Sequence, residues 1–162
     1  MIQTRTFHFY AAHRNKSIGG KCASLHGHKY DVEFSFHAGE LPPSVPYAVA
    51  LVKTRQAAEE LGCLFEEVDE MVKQVHEKFD HLCLVNENDA SLWNWLRAED
   101  QKTYVVNGPT SVENVALCLM HELQRAMSPK YVVESVTLKE TSKDSITVDR
   151  NDFEKERGLL GI

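Results

Sequence analysis

The sequence has no apolar run approaching the length of a membrane span. Its N-terminus, Met1-Ile2-Gln3-Thr4-Arg5, lacks a signal-peptide pattern and already reads as strand. Cysteine is sparse and scattered: Cys22, Cys63, Cys83 and Cys118 form no C-x-x-C pair. Without a secretion signal they read as reduced thiols, and the expected location is the cytoplasm. Positive charge is also short. Lys and Arg number 18 against 24 Asp and Glu, a net charge of -6. This argues against a nucleic-acid partner, because phosphate backbones call for a basic face. It leaves room for a local basic pocket that meets a small phosphorylated substrate. There is no internal repeat and no low-complexity stretch. What remains is a chain of 162 residues, 43% hydrophobic and 26% charged. That is the size and composition of one domain, 1–162, with an ordinary core.

The most informative stretch is Cys22-Ala23-Ser24-Leu25-His26-Gly27-His28. The residues after it, Lys29 to Phe36, alternate polar and apolar, the period of a half-buried strand over 26–37. Extended backwards, that period places His26 and His28 on the face of Tyr30, Val32, Phe34 and Phe36. Gly27 between them leaves room on the opposite face or lets another backbone approach. A first strand over 2–13 has Phe7, Phe9, Ala11 and His13 on one face. The loop Arg14–Lys21 would bring His13 beside the other two. Three imidazoles with no fourth protein ligand suit a catalytic zinc, which keeps a position open. A lone histidine in such a place would be a surface or core residue; three in phase with their apolar rows point to metal. Cys22 has three readings on spacing alone: a fourth ligand, a thiolate beside the metal, or an ordinary buried thiol. The loop itself is either a solvated connection or a basic rim able to meet phosphates.

Further along, Gly39-Glu40-Leu41-Pro42-Pro43-Ser44-Val45-Pro46 cannot continue a strand. A helix is possible over 48–60, and Gly62 weakens any long continuous one. From Leu64, the residues Val68, Met71, Val72, Val75 and Phe79 recur at helical spacing, with acidic residues early and Lys78 late, as the dipole favours. Residues 86–107 carry Trp93, Trp95 and Tyr104 among charges, with Ser91 as a candidate cap of a short helix through Leu96. Thr110-Ser111-Val112-Glu113 matches a capping box for a second amphipathic helix ended by Pro129. A strand over 131–140 places Val132, Glu134, Val136, Leu138 and Glu140 on one face. Another follows at 145–149, and the charged tail from Asn151 reads as peripheral. The expected fold is α+β: a four-stranded antiparallel sheet with two helices on one face.

Phe9-Tyr10-Ala11-Ala12-His13 and the C-x-x-x-H-G-H stretch together resemble the 6-pyruvoyl-tetrahydropterin synthase superfamily. The short gap between Cys22 and His26 is similar to its bacterial 6-carboxytetrahydropterin synthase branch, which serves queuosine biosynthesis. Phe79-Asp80-His81-Leu82 with Asn86, Pro109-Thr110-Ser111-Val112-Glu113-Asn114, and Lys139-Glu140-Thr141 extend the resemblance over residues 7 to about 148. It departs before the first long helix: Gly62-Cys63-Leu64-Phe65-Glu66-Glu67 lacks the family's Asp-Phe, so nothing is carried over for 38–66. Residues 86–108 are longer than the family's turn.

The resemblance implies a tunnelling fold, with sheets joined edge to edge into an oligomeric barrel and two trimers stacked as a homohexamer with sites between subunits. It implies Zn2+ on His13, His26 and His28, and a pterin triphosphate, 7,8-dihydroneopterin triphosphate, as substrate. Cys22 would be the base and Asp80 with His81 the acid–base relay. Glu140 would grip the pterin through a bidentate match to its N–H and amino groups. The products would be 6-carboxytetrahydropterin, acetaldehyde and triphosphate. The alternatives are a 6-pyruvoyltetrahydropterin synthase, which keeps the three-carbon side chain, a non-catalytic zinc- and pterin-binding homologue, and a metallohydrolase. Glu113 is expected to serve the capping box rather than the chemistry.

Overall fold

Alternation of side chains builds the first hairpin. β1 (Gln3–His13) and β2 (His26–Ala38) pair antiparallel, with His13 opposite His26 and Ala11 opposite His28. Phe9, Ala11 and His13 of β1, and Tyr30, Val32, Phe34 and Phe36 of β2, are buried on the shared inner face. Thr4, Thr6, His8 and Tyr10 point outward and are exposed. The computed structural model describes residues 2–38, 61–127 and 131–162, with the backbone only at 61–65. The proline-containing loop from Gly39, the candidate helix over 48–60 and Pro129 lie outside the described residues.

Among the described residues the sheet has six strands, in the order β4-β3-β1-β2-β5-β6. The expected antiparallel set is present as β1, β2, β5 (Tyr131–Lys139) and β6 (Ser145–Asp149). The expectation of four strands is nevertheless wrong. β3 (Leu82–Asn86) and β4 (Thr103–Val106) extend the sheet beyond β1, each in parallel pairing. The reason lies in Leu82-Cys83-Leu84-Val85: all four are buried, so the strand shows no alternation, as is usual for parallel strands covered on both faces.

Helices α1 (Leu61–Phe79) and α3 (Val112–Met127) cover the inner face, where Val68, Val75, Phe79, Val115, Leu119 and Leu123 join Phe9, Tyr30 and Phe34 in one core. α1 begins earlier than expected and runs through Gly62, so Glu66 and Glu67 fall beyond its first turn. Helix α2 (Ala90–Ala98) lies on the opposite face, where Leu92, Leu96 and Trp93 pack on Ala12, Cys83 and Val85. Its cap is Asp89, which accepts from the Leu92 N–H at 3.4 Å, and not Ser91. The tail is anchored rather than peripheral. Asp149 caps α4 (Arg150–Glu156) by accepting from the Asp152 N–H at 2.8 Å, and Phe153 enters the core.

One strand row needs correcting. Where β5 faces Ser35 and Phe36, its register slips by one residue. A bulge of this kind shifts every later side chain to the other face. Tyr131 and Val133 therefore point inward before it, and Val136 and Leu138 after it. Val132 and Glu134 are outside this row; Glu134 instead meets His37 Nε2 at 2.7 Å on the outer face. Glu140 still ends the inward row begun by Val136.

Candidate metal centre

The hairpin brings His13, His26 and His28 together. One ligand nitrogen from each lies within 4.8 Å of the others. His13 Nε2 is 3.2 Å from His26 Nε2. The remaining ring nitrogens of two of them are tied to backbone carbonyls: His13 Nδ1 donates to Thr110 O at 2.8 Å, and His26 Nδ1 donates to Ser24 O at 2.7 Å. With Nδ1 carrying the proton, Nε2 presents its lone pair to the common space, the arrangement found around metal-ligating imidazoles. His13 is 3% exposed. Burial holds its pKa below the ordinary value, against the opposing pull of the Thr110 carbonyl and Glu140. The neutral form is the one that binds metal. The donor set therefore fits a metal ion: three imidazoles, two of them oriented, with no thiolate among the described residues closing the set.

A cavity of about 580 Å³ opens over the cluster and is lined by Lys21, Cys22, Glu113, Glu140 and the three histidines among others. Glu140 is held by Tyr30, whose hydroxyl donates to Oε1 at 3.0 Å. The same oxygen lies 3.5 Å from His13 Nε2 and 4.0 Å from His28 Nε2. Burial, then Glu140, pushes the Tyr30 pKa upward, so the phenol stays a donor. Among the described cysteines only Cys22 is exposed. The reading of it as a buried thiol is thus overturned. Cys83 and Cys118 are pushed up to about 11 by burial, which keeps them protonated and unreactive.

Asp80 and His81 do not enter this cavity. They sit past the end of α1, on the outer side of β1, where Asp80 Oδ1 accepts from the Tyr10 N–H at 2.9 Å and Oδ2 from His81 Nδ1 at 2.7 Å. Partial desolvation raises the Asp80 pKa, but the Tyr10 and His81 hydrogen bonds outweigh it and hold the carboxyl below its usual range. His81 adopts a left-handed backbone at φ 55. That region is costly for a residue with a Cβ and recurs at functional sites. His81 lines a second cavity of about 530 Å³ with Tyr10, Leu25, Trp95 and Lys102. Gly27 lines it too, so its missing side chain leaves room on this face.

The basic loop is only partly available. Arg14 forms a fork with Asp89 at 2.7 and 2.9 Å, and Lys16 reaches the same carboxylate at 3.0 Å. Lys21 alone of these lines the histidine cavity. Helix α3 starts at Val112, with the Asn114 N–H directed at Ser111 Oγ at 3.5 Å. Ser111, not Thr110, therefore sits at the helix entry. The expected capping box is out of register by one, which frees Glu113 to face the cavity. Tyr30, Asn15, Thr110 and Glu113 are the site residues that sequence reasoning missed or set aside. Glu113 had a signal in its motif; the others are defined by contacts distant in sequence.

The sequence model of the 6-pyruvoyl tetrahydropterin synthase family matches residues 2–151. Proteins named 6-carboxy-5,6,7,8-tetrahydropterin synthase from Rickettsia bellii and Rickettsia conorii are each 28% identical over 144 residues, covering 85% of this chain and 92% of theirs. The fold matches the 6-pyruvoyl tetrahydropterin synthase structure from Caenorhabditis elegans with a TM-score of 0.56 at 22% identity, over 92% of this chain and 94% of that one. The Plasmodium vivax 6-pyruvoyl tetrahydropterin synthase matches at 0.56 and 16%, over 93% and 98%. With its strand-borne histidines, its mixed sheet and a family match over nearly its whole length, the chain belongs to the 6-pyruvoyl tetrahydropterin synthase family.

Proposed function

We propose that the protein is a zinc-dependent 6-carboxy-5,6,7,8-tetrahydropterin synthase. This lyase would convert 7,8-dihydroneopterin triphosphate and water into 6-carboxytetrahydropterin, acetaldehyde and triphosphate, in the cytoplasm and toward queuosine. The observation that carries this reading is the convergence of three imidazoles with Cys22 and Glu140 in one cavity. The names of the Rickettsia relatives favour the carboxy product.

His13, His26 and His28 would hold the ion. Bound zinc would supply a Lewis-acid centre with an open position for the substrate's side-chain hydroxyls. Glu140, kept in place by the Tyr30 hydroxyl, would accept hydrogen bonds from the pterin N–H and amino group and so fix the ring. Cys22, exposed in the same cavity, would take a proton from the side-chain carbon as thiolate. Lys21, in the lining of the same cavity, would meet the triphosphate. Asp80 holds His81 by Nδ1, leaving Nε2 to exchange protons. Because this pair lies outside the cavity of its own chain, the relay would come from a neighbouring subunit of a homohexamer. Tyr10 and Trp95, exposed large side chains beside His81, would then be covered. A monodisperse, fully active monomer in light scattering would rule out the shared site.

The deciding experiment incubates the zinc-loaded protein with 7,8-dihydroneopterin triphosphate and identifies products by mass spectrometry. The expected products are 6-carboxytetrahydropterin and acetaldehyde. A product that keeps the three-carbon side chain would make the protein a 6-pyruvoyltetrahydropterin synthase. Pterin binding without turnover would make it a non-catalytic homologue.

A further inference from the structure

Asn15 lies next to the cavity but is itself 5% exposed, and Thr110 is fully buried. One atom joins them: Asn15 Oδ1 accepts from the Thr110 N–H at 2.8 Å and lies 3.0 Å from Thr110 Oγ1. The Thr110 hydroxyl is also 3.3 Å from Arg14 O, so its proton is shared between two acceptors. Holding both N–H and Oγ1 pins the backbone and χ1 of Thr110 just before α3. The carbonyl of that same residue is the acceptor for His13 Nδ1 at 2.8 Å. The Asn15 backbone works in the other direction, its N–H donating to Cys22 O at 2.7 Å and closing the loop that carries the thiol.

We infer that Asn15, acting through Thr110, is a positioning residue of the metal centre: it fixes the carbonyl that holds His13 in its Nδ1–H tautomer, and with its own N–H it holds the Cys22 loop over the same cavity. The inference rests on the metal-binding reading above. It follows from the chemistry of the residue types. A buried site that must accept two hydrogen bonds on one oxygen needs an amide or a carboxylate, and an aliphatic residue there leaves the Thr110 N–H without a partner. Outer partners of this kind orient the ligand ring, and their loss lowers metal affinity about 10–100-fold.

The test compares wild type, Asn15→Leu, Asn15→Asp and Thr110→Val. Zinc affinity is read by competition with a chromophoric chelator, and the His13 tautomer by imidazole nitrogen chemical shifts in metal-free protein. Asn15→Leu keeps the volume and loses the acceptor, and should bind zinc about 10–100-fold more weakly, with loss of the Nδ1–H signal. Asn15→Asp keeps the acceptor and should stay within a few-fold of wild type. Thr110→Val keeps the N–H and carbonyl and should fall between them; it stands in if Asn15→Leu does not fold. Wild-type affinity and tautomer in Asn15→Leu would overturn the inference while leaving the metal reading intact. Wild type that binds no zinc would overturn the metal reading; the tautomer in the same variants would then decide the positioning role alone.

Discussion

Asp89 joins the α2 segment to the loop that carries Cys22, so its removal should be felt in stability. The carboxylate, 9% exposed, accepts the Arg14 fork, the Lys16 ammonium at 55% exposure, and the Leu92 N–H at the start of α2. A helix cap contributes about 1 kcal/mol. A charge-assisted fork contributes about 2 kcal/mol, while the exposed Lys16 adds little because solvent screens it. Asp89→Ala should therefore cost about 3 kcal/mol, and Asp89→Asn, which can still cap, about 2 kcal/mol. For a chain of this size, 3 kcal/mol corresponds to a Tm lowered by roughly 6–12 °C. The pH dependence has a definite sign. The Arg14 hydrogen bond, opposed by burial and helped by Lys16, Ser91 and Leu92, holds the folded-state carboxyl well below its usual range. A depressed pKa contributes stability that is complete above the unfolded value of about 3.9 and is lost as pH falls toward the folded one. The gap between wild type and Asp89→Asn should be constant above about pH 5 and shrink below about pH 4. Urea unfolding across that range, at fixed protein concentration, measures it. A gap under about 0.5 kcal/mol at neutral pH, in the range of ordinary surface changes, would refute the clamp.

Removing His26 should remove the metal and the activity together, because two imidazoles leave too few ligands; metal analysis of His26→Ala protein prepared without chelator checks this. Cys22→Ala should lower kcat with little change in affinity for a non-reactive pterin, whereas Glu140→Gln should weaken that affinity; undiminished turnover of zinc-loaded Cys22→Ala would exclude the thiolate as base. Tyr30→Phe removes only the hydroxyl bonded to Glu140, leaving the ring stacked on Phe9 at 4.9 Å. It should cost about 1 kcal/mol, since water can replace the donor at a carboxylate that is 22% exposed. Pterin affinity, by titration, should drop several-fold, and no change would free Glu140 from dependence on Tyr30.

What could be read from the sequence was whatever depended on local phase. The strands at 2–13 and 26–37 match β1 and β2 almost residue for residue. The two amphipathic helices are present as α1 and α3. Phase failed where burial is two-sided or where the ladder slips. β3 offers four buried residues in a row with no polar beat between them. The bulge in β5 moves Glu134 to the opposite face from Val136, although the two are of one parity. Residues 86–108 read as an insertion with stray aromatics because β4 pairs in parallel with β3, a contact that leaves no hairpin signal in the sequence between them.

The same division runs through the site. That His13, His26 and His28 end apolar rows is a property of each strand alone, so their meeting in one cluster is legible from spacing. The partner of an imidazole's second nitrogen is not a property of the strand. His13 meets a carbonyl 97 residues away, and that carbonyl depends on an amide 95 residues back from it. Nothing in the composition near Thr110 announces this, and the apparent capping box gave its neighbours a sufficient local explanation. The Asp80–His81 pair presents the reverse case. Adjacent in sequence, the two do bond to each other at 2.7 Å, yet the fold carries them to the far face of β1, away from the cavity that contains Cys22. A motif thus identifies which residues can do chemistry together. Which of them meet within one chain is decided by the path of the sheet, and here that path separates the Cys22 thiol from the Asp80–His81 pair.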